Sequence, residues 1–282
     1  MEEKKLGLGS GIAVCMGLIV ATSCLVSLGN GFGYAGGGFI ISMVIVVFLN
    51  AFVALSFAEM NRMMPSVTGG LGQYTLVGLG PWASIVSNLS AYAITNVFAT
   101  SVELTMCGMV LADLFGLGGM WNAVFAIIVL LVLFALNLRG IDIFAKVQNI
   151  TVILLIGSML ALGVVGLLKL GNPASLVAEA EKAAPVGFGG AISLSALAFW
   201  LFIGVEFIIP VAKHMKNPKK NVPLAMILAL LILLAVQSVL GSAFMNYVPA
   251  ATLASPDVLP HIVFAEAMLG EAGYIWMSLV TL

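Results

Sequence analysis

The sequence predicts an all-α integral membrane protein, and three observations carry that class. Sixty-two per cent of the residues are hydrophobic and 8% are charged, with a mean hydropathy of +1.18. The apolar residues gather in long windows bounded by glycine, proline or charge. The basic residues are sorted to one set of window ends. A soluble domain of 282 residues could not hide so much apolar surface, so the surrounding solvent is a bilayer. Lipid offers no partner to loose backbone N–H and C=O groups, and a crossing takes about 20 apolar residues wound as a helix.

The windows follow in order. The first, about 10–33, comes after "MEEKKLGLGS", whose two Glu and two Lys balance. It lacks the positive region of a secretory signal and has many apolar spans behind it, so it reads as an uncleaved first membrane helix. The second, 37–60, ends at Glu59 and Arg62, spaced for an (i, i+3) ion pair. "TGGLGQYTLVGLGPW" (68–82) is too glycine-rich and too short to cross and reads as an inner connector, partly re-entrant. The third window, 82–112, carries Asn96 near its centre and Glu103 beyond it. Asp113 follows Glu103 by about 15 Å of helix, so Glu103 is expected near the outer surface and solvated. Turned inward, it would instead receive a substrate's amine or carry a proton. The fourth and fifth windows are 120–138 and 146–169.

An external loop, "GNPASLVAEAEKAAPVGFGG", leads to the sixth window, 190–212, and "ASLVAEAEKAA" within it reads as a surface helix. "KHMKNPKKNVP" follows. Asn217-Pro218 stops the sixth helix there, and Pro223 suits the first turn of the seventh, 223–247. "VPAATLASPDVLPHIVFAEAMLGEAG" is a second external loop with an amphipathic helix on the membrane face. An eighth window opens near 272 and reaches Leu282 inside apolar "YIWMSLVTL", so the expectation is the N-terminal part of a longer protein.

Orientation follows from the basic residues. With the N-terminus in the cytoplasm, Lys4, Lys5, Arg62, Arg139, Lys146, Lys213, Lys216, Lys219 and Lys220 fall inside, leaving Lys169 and Lys182 of the eleven outside. The net charge of −1 gives no sign of nucleic-acid binding. Cys15, Cys24 and Cys107 lie in apolar runs without paired spacing and read as buried, reduced thiols. No Ser/His/Asp or metal-ligand set exists, and His214 and His261 fall on opposite sides of the membrane. Neither catalysis nor a cofactor or metal is expected.

Two windows break the apolar rule at their centres. "LAFWLFIGVEFIIPVA" (197–212) places Gly204 and Glu206 mid-membrane. A glutamate there costs about 2.5–3.5 kcal/mol or more, and a helical glycine about 1 kcal/mol against alanine. Both costs shrink if the helix is broken and lines a cavity. The first window is irregular too, with Thr22, Ser23 and Ser27, then the dense glycines of "GNGFGYAGGG". Interrupted helices at matching places in two halves point to an inverted-repeat transporter, whose half-helix N-termini attract a carboxylate and whose exposed carbonyls attract an ammonium. The plainer alternative is a packing notch at Gly204 and a hydrogen-bonded structural acid at Glu206.

Trp200-x-Phe-Ile-Gly-Val-Glu206, with Lys216-Asn-Pro-Lys-Lys-Asn-Val-Pro223 after it, resembles the sixth-helix signature of the amino acid–polyamine–organocation permeases. "ALSFAEMNRMMPSVTGG" (54–70) is similar to that family's second helix, and "NLRGIDIFAKVQNITVILL" (137–155) to the start of its fifth, in the same order and spacing. The resemblance implies a five-plus-five inverted-repeat transporter fold with broken helices 1 and 6, truncated here in helix 8. Residues 1–169 would form the first five-helix repeat, 170–189 an external loop and 190–282 the start of the second repeat. It also implies alternating access around a midplane site.

The chain departs from the family pattern at three places, one of them Lys213, which replaces the usual acidic residue before the sixth-helix exit. Thr22-Ser23-Cys24-Leu25-Val26 stands where the family shows Gly-Ser-Gly-Ile-Phe, and the downstream glycines either supply the missing flexibility or let the helix pack closely. Nothing basic lies between Lys146 and Lys169, where proton-coupled relatives carry a lysine. Sodium or proton coupling therefore stays open. The expected substrate is an amino acid, with a polyamine or other small amine, or a non-transporting sensor that keeps the fold, as the alternatives. The expected binding residues are Thr22, Ser23, Cys24 and Asn96, with Trp200, Phe202, Ile203, Gly204 and Glu206 from the sixth helix. Trp200 would stack on a cationic group or pack between helices, and Phe202 would act as a gate.

Overall fold

The computed structural model describes residues 5–65, 67, 70–138, 141–184, 186–256 and 258–282, without the side chains of 71 and 141–149. Lys4, Arg139 and the Lys146 side chain, used above for orientation, lie outside that description. The described residues are helical apart from loops and one bridge.

The first window is two helices, α1 (Leu8–Ile19) and α2 (Thr22–Ala35), separated by extended backbone at Val20 and Ala21. The interruption falls just before the stretch the sequence pointed to, and the polar residues Thr22 and Ser23 open α2. Gly36, at φ +52°, ends α2 and turns the chain through Gly36–Gly38 into α3 (Phe39–Met63). The glycines of α2 serve packing. Gly29 lies against Pro260, Gly31 against the Phe39 ring, and a Cβ on Gly33 would fall 2.6 Å from the Ala254 nitrogen. Glu59 and Arg62 meet at 3.3 Å on an exposed surface, where such a pair contributes little.

α4 (Leu71–Leu79) is the connector, closed by Gly80 at φ +88°. The third window is α5 (Pro81–Asn88), a π-helical turn (Leu89–Ile94) and α6 (Thr95–Leu114). α7 (Met120–Leu138) and α8 (Ile141–Leu167) follow, and α7 has no buried residue. The sixth window is a chain of short pieces: α9 (Phe188–Ser193), α10 (Ser195–Phe199), a turn, and a 3₁₀ segment (Val205–His214). After it come α11 (Pro218–Tyr247), α12 (Ala250–Leu253), α13 (Pro260–Leu269) and α14 (Glu271–Thr281).

Five helical stretches among the described residues are long and apolar enough to cross a membrane. α11 is the centre, packing against α1, α3, α8 and the 3₁₀ segment. Phe32, Phe39, Phe202, Phe244 and Phe264 fill the spaces between helices and are fully buried. Outside that core, large apolar side chains on α3, α6, α7 and α8 are exposed, as lipid-facing surfaces require.

Two local expectations are corrected. "ASLVAEAEKAA" forms no α-helix; it holds only 3₁₀ turns at Pro173–Ser175 and Glu179–Glu181. The loop is tied to its neighbours instead: Asn172 N–H, just before the stretch, donates to the Met268 carbonyl and Val177 N–H within it to that of Asn246, both at 2.9 Å. In this loop Lys182 donates to Glu179 at 2.6 Å and holds the Glu179 carboxyl below the usual carboxylate range. The second correction concerns α11, which starts at Pro218 and not at Pro223. Asn217 adopts a left-handed conformation (φ +46°), and its carbonyl accepts from Lys220 and Asn221. Proline at the first helical position loses no bond.

Candidate functional site

The site is built where the two interrupted windows meet. At the first interruption the α2 N-terminus presents main-chain donors. Cys24 and Leu25 N–H turn back to the Ala21 carbonyl at 3.0 and 3.4 Å. Ser23 N–H donates to both carboxylate oxygens of Glu103, at 3.3 and 3.4 Å. The free end of a helix carries partial positive charge, so a carboxylate is stabilised there.

At the second interruption Gly204 sits at φ +107°, a conformation that side chains other than glycine's rarely adopt. A Cβ there would also lie 3.2 Å from the Phe207 ring and 3.3 Å from the Leu18 carbonyl oxygen. Pro210 lies inside the 3₁₀ segment; it has no N–H to give the Glu206 carbonyl, which removes an α-helical bond. The break leaves carbonyls to be satisfied from elsewhere. Gln237, buried in α11, donates to the Leu201 carbonyl at 3.4 Å. The Cys24 thiol faces the carbonyls of Ile19 (3.2 Å) and Trp200 (3.4 Å), and Trp200 Nε1 donates to the Ser23 hydroxyl at 2.8 Å. The two interruptions are thus tied to each other by side chain and main chain.

Beside them lies a cavity of about 370 Å³. Leu18, Ile19, Ala21 and Cys24 form one wall and Trp200, Ile203, Glu206 and Phe207 another. The third wall runs from Tyr92 through Asn96 and Thr100 to Glu103. Of the expected residues, Cys24, Asn96, Trp200, Ile203 and Glu206 line it. Thr22 and Ser23 are buried behind the wall, and Gly204 shapes the backbone without contributing surface. Phe202 is fully buried among the helices, away from the cavity. The aromatics of this window that line the cavity are Trp200 and, from the 3₁₀ segment, Phe207, whose ring lies 5.7 Å from that of Tyr92.

The expected outer, solvated position of Glu103 is overturned. Its carboxylate is half-buried and lines the cavity at the α2 N-terminus. The Ser23 donor explains why: an acid within reach of a helix N-terminus gains more there than at a distant surface. Gln237 went unremarked, although one amide in the apolar run "LLAVQSVL" is the signal that a buried carbonyl needs a donor. Among the described residues no group of His, Cys, Asp and Glu is arranged to hold a metal.

Interrupted apolar helices that share one cavity recur among membrane transport proteins. Comparison with known sequences assigns the family: the amino acid permease pattern matches residues 11–254, and the chain belongs to that family. It is 28% identical to the branched-chain amino acid permease BcaP of Bacillus subtilis, over 98% of this chain and 61% of the relative. It is 26% identical to the methylthioribose transporter of the same organism, over 94% of this chain and 58% of the relative. To the glutamate/serine transporter AimA of Bacillus subtilis it is 27% identical, over 89% and 49%. The chain therefore spans between 49% and 61% of these relatives' lengths.

Proposed function

We propose that the chain forms the substrate-binding part of a secondary transporter that moves amino acids by alternating access, with its N-terminus in the cytoplasm. The observation that carries the reading is that the interruptions at Val20–Ala21 and Gly204 border the same cavity. In this reading the amino acid's carboxylate is received by the N-terminus of α2, and its ammonium by the carbonyls freed near Ile19 and Trp200 together with Glu206. Residues 1–169 act as the first repeat and 190–282 begin the second, related by inverted topology. Relatives named for branched-chain amino acids and for glutamate and serine support the substrate class. The test is uptake of radiolabelled L-leucine, L-serine and L-glutamate into proteoliposomes holding the full-length protein. Saturable accumulation of at least one supports transport; binding without flux would favour a sensor.

A second reading, transport of an amine without a carboxylate, is favoured by one observation. Glu103 and Glu206 both face the cavity, and no lysine or arginine is among its lining residues. Inhibition of L-leucine uptake by putrescine would support it.

A further inference from the structure

The stretch that joins the 3₁₀ segment to α11 carries positive charge that its surroundings do not balance. Lys213, Lys216, Lys219 and Lys220 follow one another closely, and after Glu206 no acid occurs in the chain before Asp257. All four lysines are exposed. Neither ion pair among the described residues, Glu59–Arg62 or Glu179–Lys182, involves them. The backbone beneath them is fixed. Leu6 brackets Met215 with two main-chain bonds of 2.8 Å, donating to the His214 carbonyl and accepting from Lys216 N–H. Met215 itself is buried, with its methyl carbon against Gly11 of α1. Asn221 Nδ2 donates to the Lys216 carbonyl at 2.6 Å, and the Asn217 carbonyl accepts from Lys220 and Asn221. Like charges are thus held side by side although they repel, and an anion placed among them relieves that repulsion.

The helix that follows says which anion. Lys220, Leu224, Leu231 and Ala235 of α11 are exposed, and their spacing puts them on one face. Val222, Ala225, Met226, Ala229 and Leu230, between them in sequence, are buried on the other faces. The apolar part of this stripe is a surface for lipid, and Lys220 stands at its end, about 6 Å along the axis from Leu224. The lysines therefore lie where acyl chains give way to headgroups. A dissolved phosphate would use the lysines and leave the stripe bare, whereas a phospholipid uses both.

We propose that Lys213, Lys216, Lys219 and Lys220 bind the phosphate headgroup of an anionic phospholipid whose acyl chain lies along Leu224 and Leu231. A zwitterionic headgroup gains less, because its own ammonium offsets its phosphate. The run is bonded to Leu6, so the lipid is held where the far end of the 3₁₀ segment meets the beginning of the chain. This binding goes beyond the transport reading and depends on no particular substrate.

The experiment places the full-length protein in phosphatidylcholine nanodiscs that contain a trace of photoactivatable lipid, either phosphatidylglycerol or phosphatidylcholine, with a diazirine at the top of one acyl chain. After illumination, the label on peptides covering 213–235 is measured by mass spectrometry. Wild type is expected to take about fivefold or more label from phosphatidylglycerol than from phosphatidylcholine. Lys216→Gln, Lys219→Gln and Lys220→Gln together should bring the ratio to about one. Arginine at the same three positions should keep the preference, and Lys182→Gln, which removes a charge elsewhere, should leave it unchanged. Lys220→Gln alone should lower the ratio about twofold, which keeps the test decisive should the triple variant fail to fold.

Equal labelling of wild type by the two lipids would overturn the proposal, as would a preference that survives all three glutamine substitutions. A preference abolished by excess inorganic phosphate, but not by sodium chloride of the same ionic strength, would assign the lysines to a dissolved anion and overturn the lipid. Labelling requires no transport, so a failure of the amino acid reading would leave this result standing.

Discussion

At the scale of single residues, Gly204 and His261 carry the sharpest expectations. Gly204 is held at φ +107° with the Phe207 ring and the Leu18 carbonyl close by. Gly204→Leu adds backbone strain of about 1–3 kcal/mol and pushes side-chain volume toward the cavity. Uptake should fall below a tenth of wild type while membrane insertion, measured by fractionation, stays normal; wild-type transport would contradict the site. His261 lies in α13, a helix of ten residues, too short to cross. It is 1% exposed, with Nε2 3.1 Å from the Thr281 hydroxyl, and burial pushes its imidazole down to about 3. The unfolded chain takes up this proton below about pH 6.5 and the folded one does not, so stability drops as pH falls from 6.5 toward 3. At pH 5 the loss is about 2 kcal/mol. Thermal unfolding at pH 7.5 and 5 should show it, and His261→Gln should remove most of the difference.

At the scale of elements, what the sequence revealed depended on how local the cause was. Apolar windows marked the five described stretches long and apolar enough to cross, because hydropathy is set residue by residue, and Gly204 marked its own break because glycine is the residue that tolerates that backbone. The orientation of Glu103 was not legible, since it depends on a donor eighty residues away. Nor was the fate of "ASLVAEAEKAA", whose helix propensity lost to the bond from Val177 to the distant Asn246 carbonyl and to the anchoring of Asn172 just before it. Phe202 and Phe207 lie five residues apart on the same interrupted element, on either side of Gly204, and Phe207 is the one that reaches the cavity. Gln237 shows how elements support one another: α11 supplies the donor for a carbonyl released by the break in its neighbour. Gln237→Leu leaves that carbonyl buried without a partner and should cost about 1–3 kcal/mol, read as a lower unfolding midpoint in detergent. An unchanged midpoint would mean the carbonyl finds another donor.

At the scale of the whole molecule, topology is the open quantity that the basic residues address. Lys182 belongs to the loop between the fifth and sixth windows and Lys216 to the stretch before α11. In intact cells, a membrane-impermeant maleimide should label Lys182→Cys and spare Lys216→Cys until the membrane is opened. The reverse pattern would invert the assignment. Of the native cysteines, Cys15 and Cys24 are buried, while Cys107 is half-buried and is replaced by serine for this test.

The winding of Val205–His214 reaches beyond the cavity. Ten residues at the 3₁₀ rise of about 2.0 Å extend roughly 20 Å, and the same ten as α-helix would extend roughly 15 Å. The far end of this segment is fastened to the chain's beginning: Leu6 N–H donates to the His214 carbonyl and Lys216 N–H to that of Leu6, both at 2.8 Å. Rewinding would shorten the segment by nearly one helical pitch and draw the amino-terminal tail with it, like a cord on a ratchet. Motion at the break would thus be legible from the opposite end of the molecule, in the position of its first few residues.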